Sequence, residues 1–133
     1  MTTTGELIRL EGVSKSYRMG QTDVAALRAV TLTIAVGEFA ALVGPSGSGK
    51  STLLNICGLV DQPDAGRLSI DGTATDQLSE RELTFVRREK IGFVFQGFNL
   101  VPVMTAFENI EYPLFLAGAN DRGESSGVPQ EPP

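Results

Sequence analysis

The sequence predicts an α/β domain: a partial parallel sheet with helices, preceded by an antiparallel β subdomain. Three observations carry this. An apolar run, Phe39-Ala40-Ala41-Leu42-Val43, leads into a glycine-rich loop and then a helix-compatible stretch. A second apolar run, Ile91-Gly92-Phe93-Val94-Phe95, follows a helix with a recognisable start. Both runs are apolar at every position but one glycine, as in parallel strands covered on both faces. Val30-Thr31-Leu32-Thr33-Ile34, by contrast, alternates apolar residues with threonine, which marks a half-buried strand earlier in the chain.

Taken in order, Leu7 to Ser14 alternates imperfectly and reads as a strand with Ile8, Leu10 and Val13 toward the core. Ser16 to Gly20 reads as a turn region, and Val36-Gly37-Glu38 turns the chain into the first apolar run. The helix after Lys50 carries Leu53, Leu54, Ile56, Cys57 and Val60, and Gly58 weakens its end. Residues 61–66 are dense in breakers and form a loop. A short strand, Arg67 to Ile70, closes on the turn pair Asp71-Gly72. Ser79-Glu80-Arg81-Glu82 is a capping box opening a helix to about Lys90, and Thr105-Ala106-Phe107-Glu108 is a second one. Pro113 is expected to end or kink the helix that follows. From Ala119 a Pro/Gly/Ser-rich tail of disordered composition runs to Pro133.

The stretch Gly44-Pro45-Ser46-Gly47-Ser48-Gly49-Lys50-Ser51-Thr52 fits G-x-x-x-x-G-K-[ST] between a strand and a helix. Its glycines let the backbone turn tightly and approach a ligand without a Cβ in the way. Successive N–H groups then face one concavity and bind phosphate oxygens, helped by the dipole of the next helix. Gly44, Ser46, Gly47, Ser48, Gly49 and Thr52 are the cradle. Lys50 brings a point charge to the β- and γ-phosphates, and Ser51 offers its hydroxyl to Mg²⁺. The motif implies a P-loop NTPase core. Gln96 ends the second apolar run, at the carboxyl end of an α/β strand, where a second site residue is expected.

Bulk properties narrow the rest. The chain has 133 residues, enough for one core, with 11 basic and 16 acidic residues and a net charge of −5. It has no basic block, so no nucleic-acid partner is expected. A single cysteine, Cys57, excludes a disulfide framework and reads as a buried thiol. There is no histidine, so imidazole plays no part in any mechanism of this chain. No apolar run reaches the roughly 18 residues that span a bilayer, and the N-terminus lacks the pattern of a signal peptide, so a cytoplasmic location is expected.

Together, Tyr17, GPSGSGKSTLLN from Gly44, GLVDQPDAG from Gly58 and IGFVFQGFNLVPVMTAFENI from Ile91 resemble the ATP-binding domain of ABC transporters. The resemblance is to the lipoprotein-release and macrolide-export type, over about residues 7–118. It implies that residues 1–118 are the N-terminal part of such a domain and 119–133 a tail. It implies ATP and Mg²⁺ as cofactors, with Tyr17 stacking on adenine and Gln96 touching Mg²⁺ or the attacking water. It also implies a transmembrane permease subunit as partner, docked near Phe98-Asn99-Leu100-Val101, a homodimer in the full-length family, and a place at the inner face of the cell membrane.

The LSGGQ-type signature, the Asp-Glu strand and the switch histidine of that family do not occur in these 133 residues. The resemblance therefore implies a C-terminally truncated copy, without the signature helix and without the strands that would lie between the two apolar runs. Those runs are expected to leave backbone groups unpaired and apolar faces uncovered. Three functional readings stay open on the residues: the ATPase subunit of an exporter, a nucleotide-binding module without catalysis, and a non-functional fragment.

Overall fold

The computed structural model describes residues 5–116, in two compact units divided between Arg87 and Arg88. The tail expected over 119–133 lies outside the described residues.

The first unit is built on a long hairpin. β1 (Glu6–Met19) pairs antiparallel with β2 (Thr22–Ala35). The strand continues through the region expected to turn at Ser16, and the turn itself is only Gly20 and Gln21. β2 likewise begins well before the alternating Val30–Ile34 segment. Sequence alternation marks only the half-buried part of each strand, whereas the ladder extends along the exposed arms. Register shifts break the ladder near Gly12 and Ser14. Side chains fill the gaps there: the Gly12 N–H donates to Thr31 Oγ1 at 2.9 Å and the Ala29 N–H to Ser14 Oγ at 2.9 Å.

β3 (Ala65–Ile70) adds to the other edge of β1, and β4 (Thr73–Ala74) follows, giving the order β2-β1-β3-β4. Asp71 and Gly72 both take positive φ, 51° and 75°, as the tight Asp-Gly hairpin turn requires. A short 3-10 turn (Thr75–Gln77) leads to α2 (Glu80–Lys90). The expected capping box is formed: the Ser79 N–H donates to Glu82 Oε2 at 2.8 Å, and the Glu82 N–H to Ser79 Oγ at 3.4 Å.

The core of this unit joins Leu10 and Val13 of β1 and Leu68 and Ile70 of β3 to Leu53 and Ile56 of α1 (Lys50–Cys57). Of the other apolar residues read into this helix, Leu54 and Val60 are more than half exposed, and Val60 lies beyond the end of α1. The helix is only two turns long and buries the single stripe on which Leu53 and Ile56 stand three residues apart. Cys57 is half-buried, and burial pushes its thiol above the ordinary range.

The described sheet is antiparallel throughout, and the expected parallel strands do not form. Phe39–Val43 carries no ladder, and Phe39 is 97% and Val43 89% exposed. A strand exists through hydrogen bonds to its neighbours, and an all-apolar one also needs cover on both faces. Among the described residues neither is supplied, which is the uncovered state anticipated from the absent strands.

In the second unit, Ile91–Phe95 is likewise irregular, with Val94 99% exposed. The rings of Phe93 and Phe95 stack with centroids 5.6 Å apart. The second capping box is also formed: the Thr105 N–H donates to Glu108 Oε2 at 2.7 Å, and the Glu108 N–H to Thr105 Oγ1 at 3.2 Å. It starts α3 (Ala106–Leu116), which runs on past Pro113 rather than ending there. The proline has no N–H to donate toward the Asn109 carbonyl, and the helical backbone nevertheless continues to Leu116. Asn109 organises the loop before α3: its Oδ1 accepts from the Val101 N–H at 2.7 Å, and its Nδ2 donates to Thr105 O at 2.9 Å.

Candidate nucleotide-phosphate site

The loop after Val43 is shaped by its own backbone. The Ser48 N–H closes a turn onto Pro45 O at 3.3 Å. Gly49 then takes the left-handed conformation, φ 89° and ψ 4°, and caps α1. A Cβ at Gly49 would run into the Ala26 carbonyl oxygen and come within 3.0 Å of Leu27 Cδ2. The loop is therefore seated directly on β2, at a distance only glycine permits.

α1 begins at Lys50 with no side-chain cap at Gly49 and no acidic residue in its first turn. Its first N–H groups have no intrahelical acceptor, so the positive end of the helix faces outward. Lys50 Nζ donates to Gly44 O at 2.7 Å and to Pro45 O at 2.6 Å, with Ser48 Oγ at 3.4 Å. These bonds hold the ammonium inside the loop that the backbone encircles.

The result is a cleft of about 530 Å³. One wall is Ser46, Gly47 and Gly49 with Lys50, Ser51 and Thr52; the other is Val24, Ala25 and Ala26 of β2. The sequence motif located the first wall. The second wall was missed, because residues 21–29 carry neither a motif nor a clean alternation. The only signal for it is that Gly49 lacks a side chain, which is informative once β2 is known to lie against it.

Tyr17 stands opposite Val24 in the β1–β2 register, and cross-strand partners project from the same face. Its hydroxyl donates to Asp61 Oδ2 at 2.7 Å. Asp61 Oδ1 accepts from Lys15 Nζ at 2.8 Å and from the Gln62 N–H at 2.8 Å. The Lys15 ammonium and the Tyr17 hydroxyl hold the Asp61 carboxyl below the ordinary carboxylate range; Asp61 in turn raises both the Lys15 ammonium and the Tyr17 phenol. Asp61 reads in the sequence only as a loop breaker, so this network was not foreseen.

Gln96 belongs to the second unit, in an exposed bend rather than at the end of a strand. Its expected position depended on the Ile91–Phe95 strand, which does not form. Phe98 is 92% and Leu100 60% exposed. Among the described residues no three acidic, cysteine or histidine side chains cluster to hold a metal, and the hydroxyls on the cleft wall are those of Ser46, Ser51 and Thr52.

Known proteins match this chain over most of its length. The family model described as ABC transporter matches residues 27–130. The chain is 51% identical over 121 residues to an uncharacterized ABC transporter ATP-binding protein, MJ0796, of Methanocaldococcus jannaschii, covering 91% of this chain and 50% of that protein. It is 47% identical over 116 residues to the lipoprotein-releasing system ATP-binding protein LolD of Bacteroides thetaiotaomicron, covering 87% of this chain and 51% of that one. A solved dimeric structure of the ATP-binding cassette MJ0796, in a post-hydrolysis state bound to ADP and Pi, superimposes with a TM-score of 0.78 at 47% identity, over 93% of this chain and 50% of that one. The chain thus spans about half the length of these relatives.

Proposed function

The chain belongs to the ABC transporter family, and from that premise we propose that it is an ATP-binding component of an export system, holding ATP with Mg²⁺ to energise transport through a separate membrane subunit. The observation that carries this reading is the cleft itself. A helix N-terminus without a competing acidic side chain, an ammonium held within a glycine loop and a hydroxyl on the wall form a donor set suited to a triphosphate. The cleft is of the size that small ligands fill.

In this reading Lys50 exchanges its bonds to the Gly44 and Pro45 carbonyls for the β- and γ-phosphates. The first-turn N–H groups and the backbone of Ser46 to Gly49 surround the same oxygens. Ser51 contributes its hydroxyl to Mg²⁺, which neutralises phosphate charge when bound. Tyr17 meets the base. Gln96 takes the role of positioning water or Mg²⁺, its amide able to accept through oxygen and donate through nitrogen. The partner is a transmembrane permease subunit of the lipoprotein-release or macrolide-export kind, met near the exposed Phe98 and Leu100. The protein acts at the inner face of the membrane through that subunit and pairs with a second copy. No helix of the described residues is long and apolar enough to cross a membrane.

Isothermal titration with ATP, with and without Mg²⁺, tests this. Lys50→Ala removes charge-assisted bonds worth about 1.5–3 kcal/mol, so ATP affinity should fall about tenfold to a hundredfold. Absence of binding heat at millimolar ATP refutes the reading. A second reading is that the chain binds nucleotide without turning it over, since the signature and the Asp-Glu strand that position the reacting groups in the family do not occur in these 133 residues. Steady-state hydrolysis no faster than that of Lys50→Ala would support it.

A further inference from the structure

We infer that Asp61 is a positioning residue that fixes the Tyr17 ring at the rim of the nucleotide cleft and thereby sets how much a base adds to phosphate binding. This rests on the reading of the cleft as a nucleotide site.

The argument begins with the freedom of a tyrosine on a hairpin arm. Tyr17 is 38% exposed and lies near the turn end of its strand. Its ring is fixed only if its tip is held. One group from a different element holds it. Asp61, in the loop after α1, accepts the phenolic O–H at 2.7 Å, within the range of charge-assisted O–H···O⁻ bonds. The phenol is therefore tied to the loop after α1, and because Tyr17 stands opposite Val24 of the cleft wall, that tie sets how the ring lies at the edge of the cleft.

Asp61 is itself held. Lys15 Nζ and the Gln62 N–H both donate to its Oδ1, leaving Oδ2 directed at Tyr17. The same ammonium lies 5.5 Å from the Tyr17 ring centroid, within cation–π reach. The loop does not depend on Asp61 alone. The Ser16 N–H donates to Asp64 Oδ2 at 2.7 Å, and the Asp64 N–H to Ser14 O at 2.9 Å. Removing the Asp61 carboxylate should therefore release the ring while the loop stays docked on β1.

The test compares MgATP with Mg-tripolyphosphate by calorimetry, for the unaltered chain, Asp61→Ala, Asp61→Asn and Tyr17→Phe. The ratio of the two affinities reads the contribution of the base. Asp61→Ala and Tyr17→Phe should each weaken ATP binding by about threefold to tenfold, as expected for one lost hydrogen bond, and leave tripolyphosphate unchanged. The double variant should be no worse than either. Asp61→Asn keeps an acceptor for the phenol and should restore part of the ratio. Tyr17→Phe leaves the Asp61 bonds to Lys15 and Gln62 in place, so it does not depend on the loop's stability. The chain has two tyrosines and no tryptophan, so tyrosinate absorbance in a Tyr112→Phe background reports Tyr17 alone. Its titration should move to lower pH in Asp61→Ala.

Equal losses for ATP and tripolyphosphate in Asp61→Ala, or no change in either, overturn the inference. An unaltered chain that binds both probes equally overturns it while sparing the phosphate site. A chain that binds neither overturns the phosphate site as well.

Discussion

Gly49→Ala is the sharpest test of how the phosphate loop is seated. Two costs add at this position. An L-residue at φ 89° pays about 1–2 kcal/mol for left-handed geometry. The new methyl also meets a backbone carbonyl, that of Ala26, which cannot rotate away, and overpacking of this kind costs about 1–3 kcal/mol. The sum is about 2–5 kcal/mol, and at roughly 4–8 °C per kcal/mol for a domain of this size it lowers Tm by about 10 °C or more. Two neighbours in the same loop separate the terms. Gly47 has φ 79° but nothing lies within 4 Å of where its methyl would sit, so Gly47→Ala should cost only the conformational part. At Gly44 the methyl would meet Ser48 Oγ at 2.8 Å, the end of a side chain that can turn, so Gly44→Ala should cost less than about 1 kcal/mol. Thermal unfolding followed by circular dichroism, paired with ATP calorimetry, gives the order. A Gly49→Ala variant no less stable than Gly47→Ala would refute the seating of the loop against β2.

The core and the loop network make further demands. Ile56 is fully buried, so Ile56→Ala should destabilise by about 2–5 kcal/mol in urea unfolding, whereas Leu54→Ala, at an exposed position of the same helix, should stay within about 1 kcal/mol. The Asp61 carboxyl is depressed in the folded chain, so its stabilisation is present above its ordinary value of 3.8 and is lost as pH falls through the lower, folded value. The Lys15 ammonium is raised, so its share is present below 10.5 and is lost as pH rises through the higher, folded value. Asp61→Asn should accordingly flatten the acid limb of a stability-against-pH curve; an unchanged limb would show that the pair is not formed in solution.

Much of the local structure was legible. Both capping boxes formed because each needs only a Ser or Thr and a Glu three residues on. The Asp71-Gly72 turn formed because those residues tolerate positive φ. The two apolar runs were legible as strands by composition, yet Phe39–Val43 and Ile91–Phe95 are irregular. Composition states what a strand would need on its faces, not whether neighbours are there to pair with it. Gln96 shares that fate, since its expected place was defined by a strand end.

By itself the sequence determined whatever acts across a few residues: the glycine loop, the Lys50 that follows it, the caps and the tight turns. Only the tertiary structure decided which surface the loop faces and what holds Tyr17. Val24 to Ala26 became a wall of the cleft because Gly49 lets α1 settle on β2. Asp61 reached Tyr17 across 44 residues of chain because β1 and the loop after α1 pack side by side. Contacts of that separation leave no periodic trace in a sequence, since each partner is locally an ordinary residue and their meeting depends on every element folded between them.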